Sequence, residues 1–234
     1  MISRLLPAVL ALILALPAHA IERKPVAEVE ADALTTETQL RLGGTSQHIS
    51  VVWWVPTEYW ELFLSRDQSI GAEVRQQVLD TLSGVSLLAV VQADISPLGV
   101  FDFYSEAQVR EGLILTYEPA KGESRQLKPL TKVDPGLQIL IGQIKPVLTA
   151  AMGNLGGNMH FLVLDDEDGD GQRILDPYLE GVLSASVTTQ ADEVLGGVFE
   201  FPLDSLFVPR KCPNGKDAHV SWRYCPWSGE ELAR

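Results

Sequence analysis

This chain is short of cysteine and of positive charge, and it lacks the common catalytic signatures. Cys212 and Cys225 are the only cysteines in 234 residues. Both fall in the last tenth, so no disulfide framework organises the fold as a whole. Lys and Arg number 18 against 31 Asp and Glu. Nucleic-acid binding works by replacing counterions with Lys and Arg, and adsorption to anionic lipid rewards basic segments, so neither partner is expected. There is no G-x-S-x-G elbow, no H-E-x-x-H, no phosphate loop and no dinucleotide fingerprint. No cofactor is expected, and the reading leans away from an enzyme. Nor does any apolar run approach the roughly 20 residues that span a bilayer.

What the N-terminus does carry is the order of an export signal. Arg4 is followed by the apolar run Leu5 to Leu16, then Pro17 and the small-x-small triplet Ala18-His19-Ala20. That order matches an n-region, an h-region and a signal-peptidase site. Residues 1–20 are thus expected to be cleaved, leaving a mature chain from Ile21 with no transmembrane helix, held in the periplasm or secreted. No cysteine stands at the junction to accept a lipid. Without Arg4, 17 basic residues face all 31 acids, a formal net charge of −14, whose plainest consequence is solubility.

Residues 21–47, rich in Glu, Ala, Thr and Gly without a sustained period, are expected to form a flexible acidic leader with one short ordered piece near Leu40 and Leu42. The folded domain is expected over 48–209. Ile49 to Val55 is β-branched and aromatic and is stopped by Pro56, which predicts a strand. Helices are predicted from Thr57 and from Gly71 to Leu82, where Val74, Val78, Leu79 and Leu82 make one stripe. Val85 to Ile95 reads as a buried strand, and Ser105-Glu106-Ala107-Gln108 fits the capping box. Leu137 to Leu148 predicts a helix apolar on most of its surface and therefore buried, with a kink or break at Pro146. Strands are expected at 160–164, 181–188 and 198–201. Helices in the middle and strands at both ends point to an α+β fold, a mostly antiparallel sheet with helices packed on one face. A small tail follows at 210–234.

Three groups of residues invite a chemical reading. In the acidic run from Asp165 to Gly171, Asp166, Asp168, Asp170 and Gly171 fit positions one, three, five and six of a calcium loop. The twelfth position is Pro177, however, so an Asp/Gly-rich turn between strands is the favoured alternative. Trp53, Trp54 and Trp60, with Tyr59, are candidates for a stacking or partner surface. Trp53 and Trp54 face opposite sides of a strand, so core packing is assigned to one and the other is left open. Finally, a hydrolase needs only two placed carboxylates, and Asp102, Glu106 and Asp166 are candidates. The histidines of the mature chain, His48, His160 and His219, lie far apart.

At the C-terminus, Lys211-Cys212-Pro213-Asn214-Gly215-Lys216 is followed by Tyr224-Cys225-Pro226-Trp227-Ser228-Gly229. This resembles the small zinc ribbon that ends many bacterial proteins, in which two C-P-x-C-G knuckles each give two thiolates to one zinc. Here each knuckle lacks its second cysteine. The resemblance covers about two dozen residues and implies that one surviving cysteine of each knuckle stands near the other. In an oxidising compartment that implies a Cys212–Cys225 disulfide. The alternative is a metal site in which His219 joins Cys212 and Cys225. The main domain, opening V-V-W-W-V-P-T-E-Y-W, resembles exported bacterial proteins of unknown function that carry such a ribbon after an α+β domain. The expected function is non-enzymatic: binding of a protein or cell-envelope partner. The alternative is an envelope hydrolase using paired carboxylates.

Overall fold

The computed structural model describes residues 21–43 and 47–232; the expected signal peptide lies outside the described residues. Strands β1 (Gln39–Leu42), β2 (His48–Val55) and β3 (Val85–Ile95) run antiparallel side by side. The far edge of β3 is shared by β4 (Phe101–Phe103), which pairs with its end, and β7 (His160–Asp165), which pairs with its first half. A second antiparallel sheet has the order β6 (Arg125–Leu127), β5 (Ile114–Pro119), β8 (Gly181–Thr188), β9 (Val194–Phe201). The α+β class with antiparallel pairing and helices on one face is as expected. The strands, however, divide into two sheets, and the second covers the face of the first that the helices leave open.

Burial explains the division. Alternate residues of a strand point to opposite faces, and β2 is buried along nearly its whole length. Trp53 and Val55, Leu87 and Ala89, and Val163 face the helical layer, where they meet Trp60, Leu82, Leu137, Leu140 and Leu148. These come from α2 (Thr57–Arg66), α3 (Ala72–Leu82) and α5 (Pro135–Ala151). Val52, Trp54, Leu88, Val90 and Leu162 point the other way, into Leu115, Leu183, Val187 and Phe199 of the second sheet. A strand covered on both sides reads as a continuous apolar run, whereas β8, with one face open, alternates. Each fully buried Leu, Val or Phe contributes roughly 1.5–3 kcal/mol, so the middle sheet carries the core.

The segment expected as a flexible leader is part of this core. Over the described residues 21–43 it forms a 3-10 turn (Val26–Glu28), α1 (Ala31–Thr38) and β1, and Val29 and Leu34 are wholly buried. Lys24 N–H donates to the Leu206 carbonyl and Val208 N–H to that of Glu22, lacing it to the end of the domain. Its apolar residues show no period because they serve three short elements in turn. The capping box forms at the start of α4 (Glu106–Gly112), with Ser105 and Gln108 bonded reciprocally. The α5 helix continues through Pro146 and, contrary to expectation, buries one stripe only, leaving Ile139 and Val147 exposed. No helix among the described residues is long and apolar enough to cross a membrane.

Beyond β9, the chain ends in a tail whose own core is Cys212, Ala218, Cys225 and Leu232. It holds the two-stranded ribbon β10 (Arg210–Lys211) and β11 (Asp217–Ala218).

One close approach gives a direct test of the packing. After α5 the chain turns back in a 3-10 helix, and a Cβ on Gly156 would lie 1.9 Å from the Thr149 carbonyl oxygen, whereas one on Gly157 would meet nothing within 4 Å. Gly156→Ala is therefore expected to lose about 1–3 kcal/mol, the usual cost of overpacking, and Gly157→Ala less than about 0.5 kcal/mol. Urea midpoints of the two variants check this; equal effects would contradict it.

Candidate functional site

The acidic loop between β7 and β8 folds around one carboxylate. Asp166 is almost fully buried. It accepts from the Ser86 hydroxyl at 2.6 Å, the Leu175 N–H at 2.6 Å and Arg173 Nε at 3.3 Å. Ser86 accepts in turn from Trp54 Nε1 at 3.2 Å. The Arg173 guanidinium spans from Asp166 to Glu58 on α2, giving Nη1 and Nη2 to the two carboxylate oxygens at 2.7 and 3.1 Å. Burial alone would lower the pKa of Arg173, but the charges of Glu58 and Asp166 outweigh it and hold the group raised. Asp168 stands at the surface, accepting N–H groups from Asp170 and Gln172 at 2.9 Å each. Those backbone bonds hold its carboxyl below the usual range.

This geometry is the Asp/Gly-rich turn that the sequence favours and not the calcium loop for which Asp166, Asp168 and Asp170 are candidates. Asp166 is consumed by three internal donors, Asp168 caps its own loop, and Asp170 is exposed. Among the described residues, no group of three His, Cys, Asp or Glu is arranged to hold a metal ion. The paired-carboxylate reading is also corrected for its named residues. Asp102 is an exposed residue of β4, Glu106 pairs with Arg110 at 2.7 Å on α4, and Asp166 is buried against Arg173, so the three serve separate local structures.

Beside the Arg173 network lies a cleft of about 540 Å³ between the β5–β6 hairpin and the acidic loop. Tyr117, Lys121 and Arg125 line it on one side, Asp168 and Arg173 on the other. Its lining comes from two segments, 117–125 and 168–180, that share no motif, and nothing in the sequence marks it.

A second polar cluster lies where the two sheets meet at the far end of β2. His48 Nδ1 is 2.7 Å from Asp94 Oδ1, and its Nε2 is 2.7 Å from Ser50 Oγ. With Asp94 accepting at Nδ1, Nε2 takes the Ser50 hydroxyl proton, which is the hydrogen-bond order of a Ser–His–Asp triad. The exposure is reversed, however. Ser50 is wholly buried, whereas the Asp94 side chain is about one-third exposed. A nucleophile there meets no substrate. The cluster instead joins β2 and β3 to Tyr104, whose hydroxyl donates to Asp94 and accepts from the Gln190 N–H at 2.7 Å. Its one sequence signal is His48-x-Ser50, two strand residues on one face; Asp94 arrives only through the β2–β3 register.

The tryptophan surface is corrected as well. Trp53, Trp54 and Trp60 are 1%, 0% and 2% exposed, because both faces of β2 are covered. Trp53 donates to Thr38 Oγ1 at 3.3 Å. Exposed tryptophan and tyrosine rings occur instead on the tail. Cys212 and Cys225 form a disulfide with Cα atoms 5.7 Å apart, within the range such a bond requires. His219 bonds Ser221 Oγ at 2.7 Å. The three-ligand zinc site is thereby overturned, since the thiolates it needs are joined to each other. Around this clasp Trp222, Tyr224 and Trp227 stay 39%, 50% and 49% exposed. Lys216 lies over the Trp227 ring at 4.9 Å and Arg223 over Tyr224 at 5.4 Å. The patch is held to the body through Val220, which is buried in the main core and donates its N–H to Asp204 at 2.7 Å.

Near the Arg173 network, burial and then the Glu58 charge push the Tyr178 phenol up to about 12. A raised pKa makes a contribution that is complete below the unfolded value, near 10, and lost as pH climbs through the folded value. Wild-type stability is therefore expected to fall between pH 10 and about 12 more steeply than that of Tyr178→Phe. Denaturation midpoints across that window check this; parallel curves would contradict it.

Comparison of this chain with protein-family models, with curated proteins and with solved structures finds no match in any of the three.

Proposed function

We propose that this is an exported, non-enzymatic binding protein of the cell envelope, periplasmic or released, which docks on a protein partner through its clasped tail. The observation that carries the reading is the trio Trp222, Tyr224 and Trp227. Three large aromatic rings remain about half exposed on a segment whose geometry is fixed by a covalent bond and by an anchor in the body. Trp, Tyr and Arg dominate binding hot spots, and a rigid display lowers the ordering cost of association.

Charge narrows the partner. Five of the 18 Lys and Arg but only three of the 31 acids fall in residues 210–234, so the tail carries +2. Residues 21–209, with 12 basic and 28 acidic groups, carry −16. The patch therefore suits a protein with an acidic rim, and the body repels that partner everywhere else, which favours one orientation. The export signal, the disulfide expected of an oxidising compartment and the resemblance of the tail to a zinc ribbon all support the reading. The hydrolase alternative draws no support from Asp102, Glu106 and Asp166, which do not converge.

Immobilised mature protein, incubated with envelope extract, is expected to retain a defined partner that is lost at high salt. The double variant Trp222→Ala/Trp227→Ala is expected to retain at least tenfold less, as for paired hot-spot residues, with an unchanged melting midpoint. Equal retention by variant and wild type, or no retention by either, would sink the proposal.

A further inference from the structure

The cleft beside Arg173 is a second place where the molecule meets its surroundings, and it is independent of the tail. Its volume of about 540 Å³ lies in the range of small-ligand sites, too small for a folded partner. The walls are pre-organised. Arg173 is fixed by Glu58 and Asp166, and Asp168 by two backbone N–H groups of its own loop. The opposite wall is the β5–β6 hairpin, in which Arg125 pairs directly across from Tyr117 and so shares its face of the sheet.

Tyr117 supplies the sign of a ligand. Only 4% of the residue is exposed, it lines the cleft, and its hydroxyl makes no hydrogen bond with the described residues. The hydroxyl is not among the atoms sealed in the interior without a partner, so it meets solvent at the cleft that the residue lines. Its ring packs on Phe201, which packs on Trp54, so the hydroxyl cannot swing away.

The charges of the lining select the chemistry. Lys121 and Arg125 stand on the hairpin, with Glu123 between them; Glu180 lies beside the hairpin, its carbonyl accepting from the Ala120 N–H, and Asp168 stands on the acidic loop. The charge of Arg173 is already matched by Glu58 and Asp166. The groups left for a ligand are then two cations and three anions, which disfavours phosphates and nucleotides. A molecule carrying both an amine and a carboxylate satisfies both walls. Pro119, Ile174 and Leu179 give its aliphatic part an apolar floor.

We propose that this cleft binds short peptides with a free amine and a free carboxylate, the carboxylate toward Lys121 and Arg125, the amine toward Asp168, and a peptide carbonyl on the Tyr117 hydroxyl. The proposal goes beyond the tail reading and does not depend on it. Titration calorimetry on the intact mature protein tests it with the unblocked tripeptide Ala-Ala-Ala, its N-acetylated form, its C-amidated form and inorganic phosphate. The unblocked peptide is expected to bind, and each blocked form to bind about tenfold or more weakly, the usual loss for a charge-assisted hydrogen bond. Arg125→Gln is expected to weaken the unblocked peptide to the level of the amidated one. Tyr117→Phe is expected to weaken it several-fold while the melting midpoint stays put. Trp222→Ala/Trp227→Ala is expected to bind it as the wild type does, so a failed tail and a failed cleft are told apart. Equal binding of blocked and unblocked peptides, preference for phosphate, or no heat with any probe would overturn the proposal.

Discussion

One guanidinium between two buried carboxylates holds the layers of this protein in register. Arg173 belongs to the loop after β7, Glu58 to the first turn of α2, and Asp166 to the end of the middle sheet, where Ser86 and Trp54 extend the chain of hydrogen bonds into the core. Taking charges out of water costs several kcal/mol per ion. That cost is offset because Asp166 has two further donors and Glu58 receives two nitrogens of one planar fork. Removing Arg173 strands two carboxylates whose side chains are only 8% and 2% exposed, so the network specifies one arrangement of loop, helix and sheet. The same arginine forms part of the cleft wall, so what closes the domain also stiffens a binding surface.

How much of the fold is legible in the sequence follows from where each signal comes from. Strand β3 runs from Val85 to Ile95 and β8 from Gly181 to Thr188, the bounds that their residues predict, and the capping box forms at Ser105. These are local signals: an apolar run that starts after Gly84, an alternation, a four-residue cap. The division of the strands into two sheets is not local. Both faces of β2 are apolar, which says that two layers cover it but not that the second is another sheet. Residues 21–43 show no period because Val29, Leu34, Leu40 and Leu42 enter the core from different elements. The α5 helix reads as wholly buried because hydropathy counts Ile139 and Val147 alike with Leu140 and Leu148; only the fold decides which stripe is covered.

The functional surfaces divide in the same way. The pairing of Cys212 with Cys225 follows from the resemblance of the tail to a ribbon together with the expected compartment, and the structure has it. Aromatic density is highest at Trp53, Trp54 and Trp60, which makes them the natural candidates for a binding patch, yet density in a strand marks a covered sheet. Trp222, Tyr224 and Trp227 are exposed because a tail with only four buried residues of its own has no interior to take them. The lining of the cleft, from Tyr117 to Glu180, comes together only when the hairpin and the acidic loop fold against each other. No spacing in the sequence announces that.

If the arrangement of loop, helix and cleft depends on Arg173 and Glu58, the two must act as a coupled pair. A double-mutant cycle of Glu58→Gln and Arg173→Gln, read from urea denaturation of the mature protein, measures this without reference to any ligand. Each single change is expected to cost about 3–5 kcal/mol, as when one partner of a buried pair is removed. The double change should cost less than their sum by roughly 2 kcal/mol, as for contacting residues. Costs that add to within about 0.5 kcal/mol would mean that the two residues act independently and that something other than this ion pair holds the layers in register.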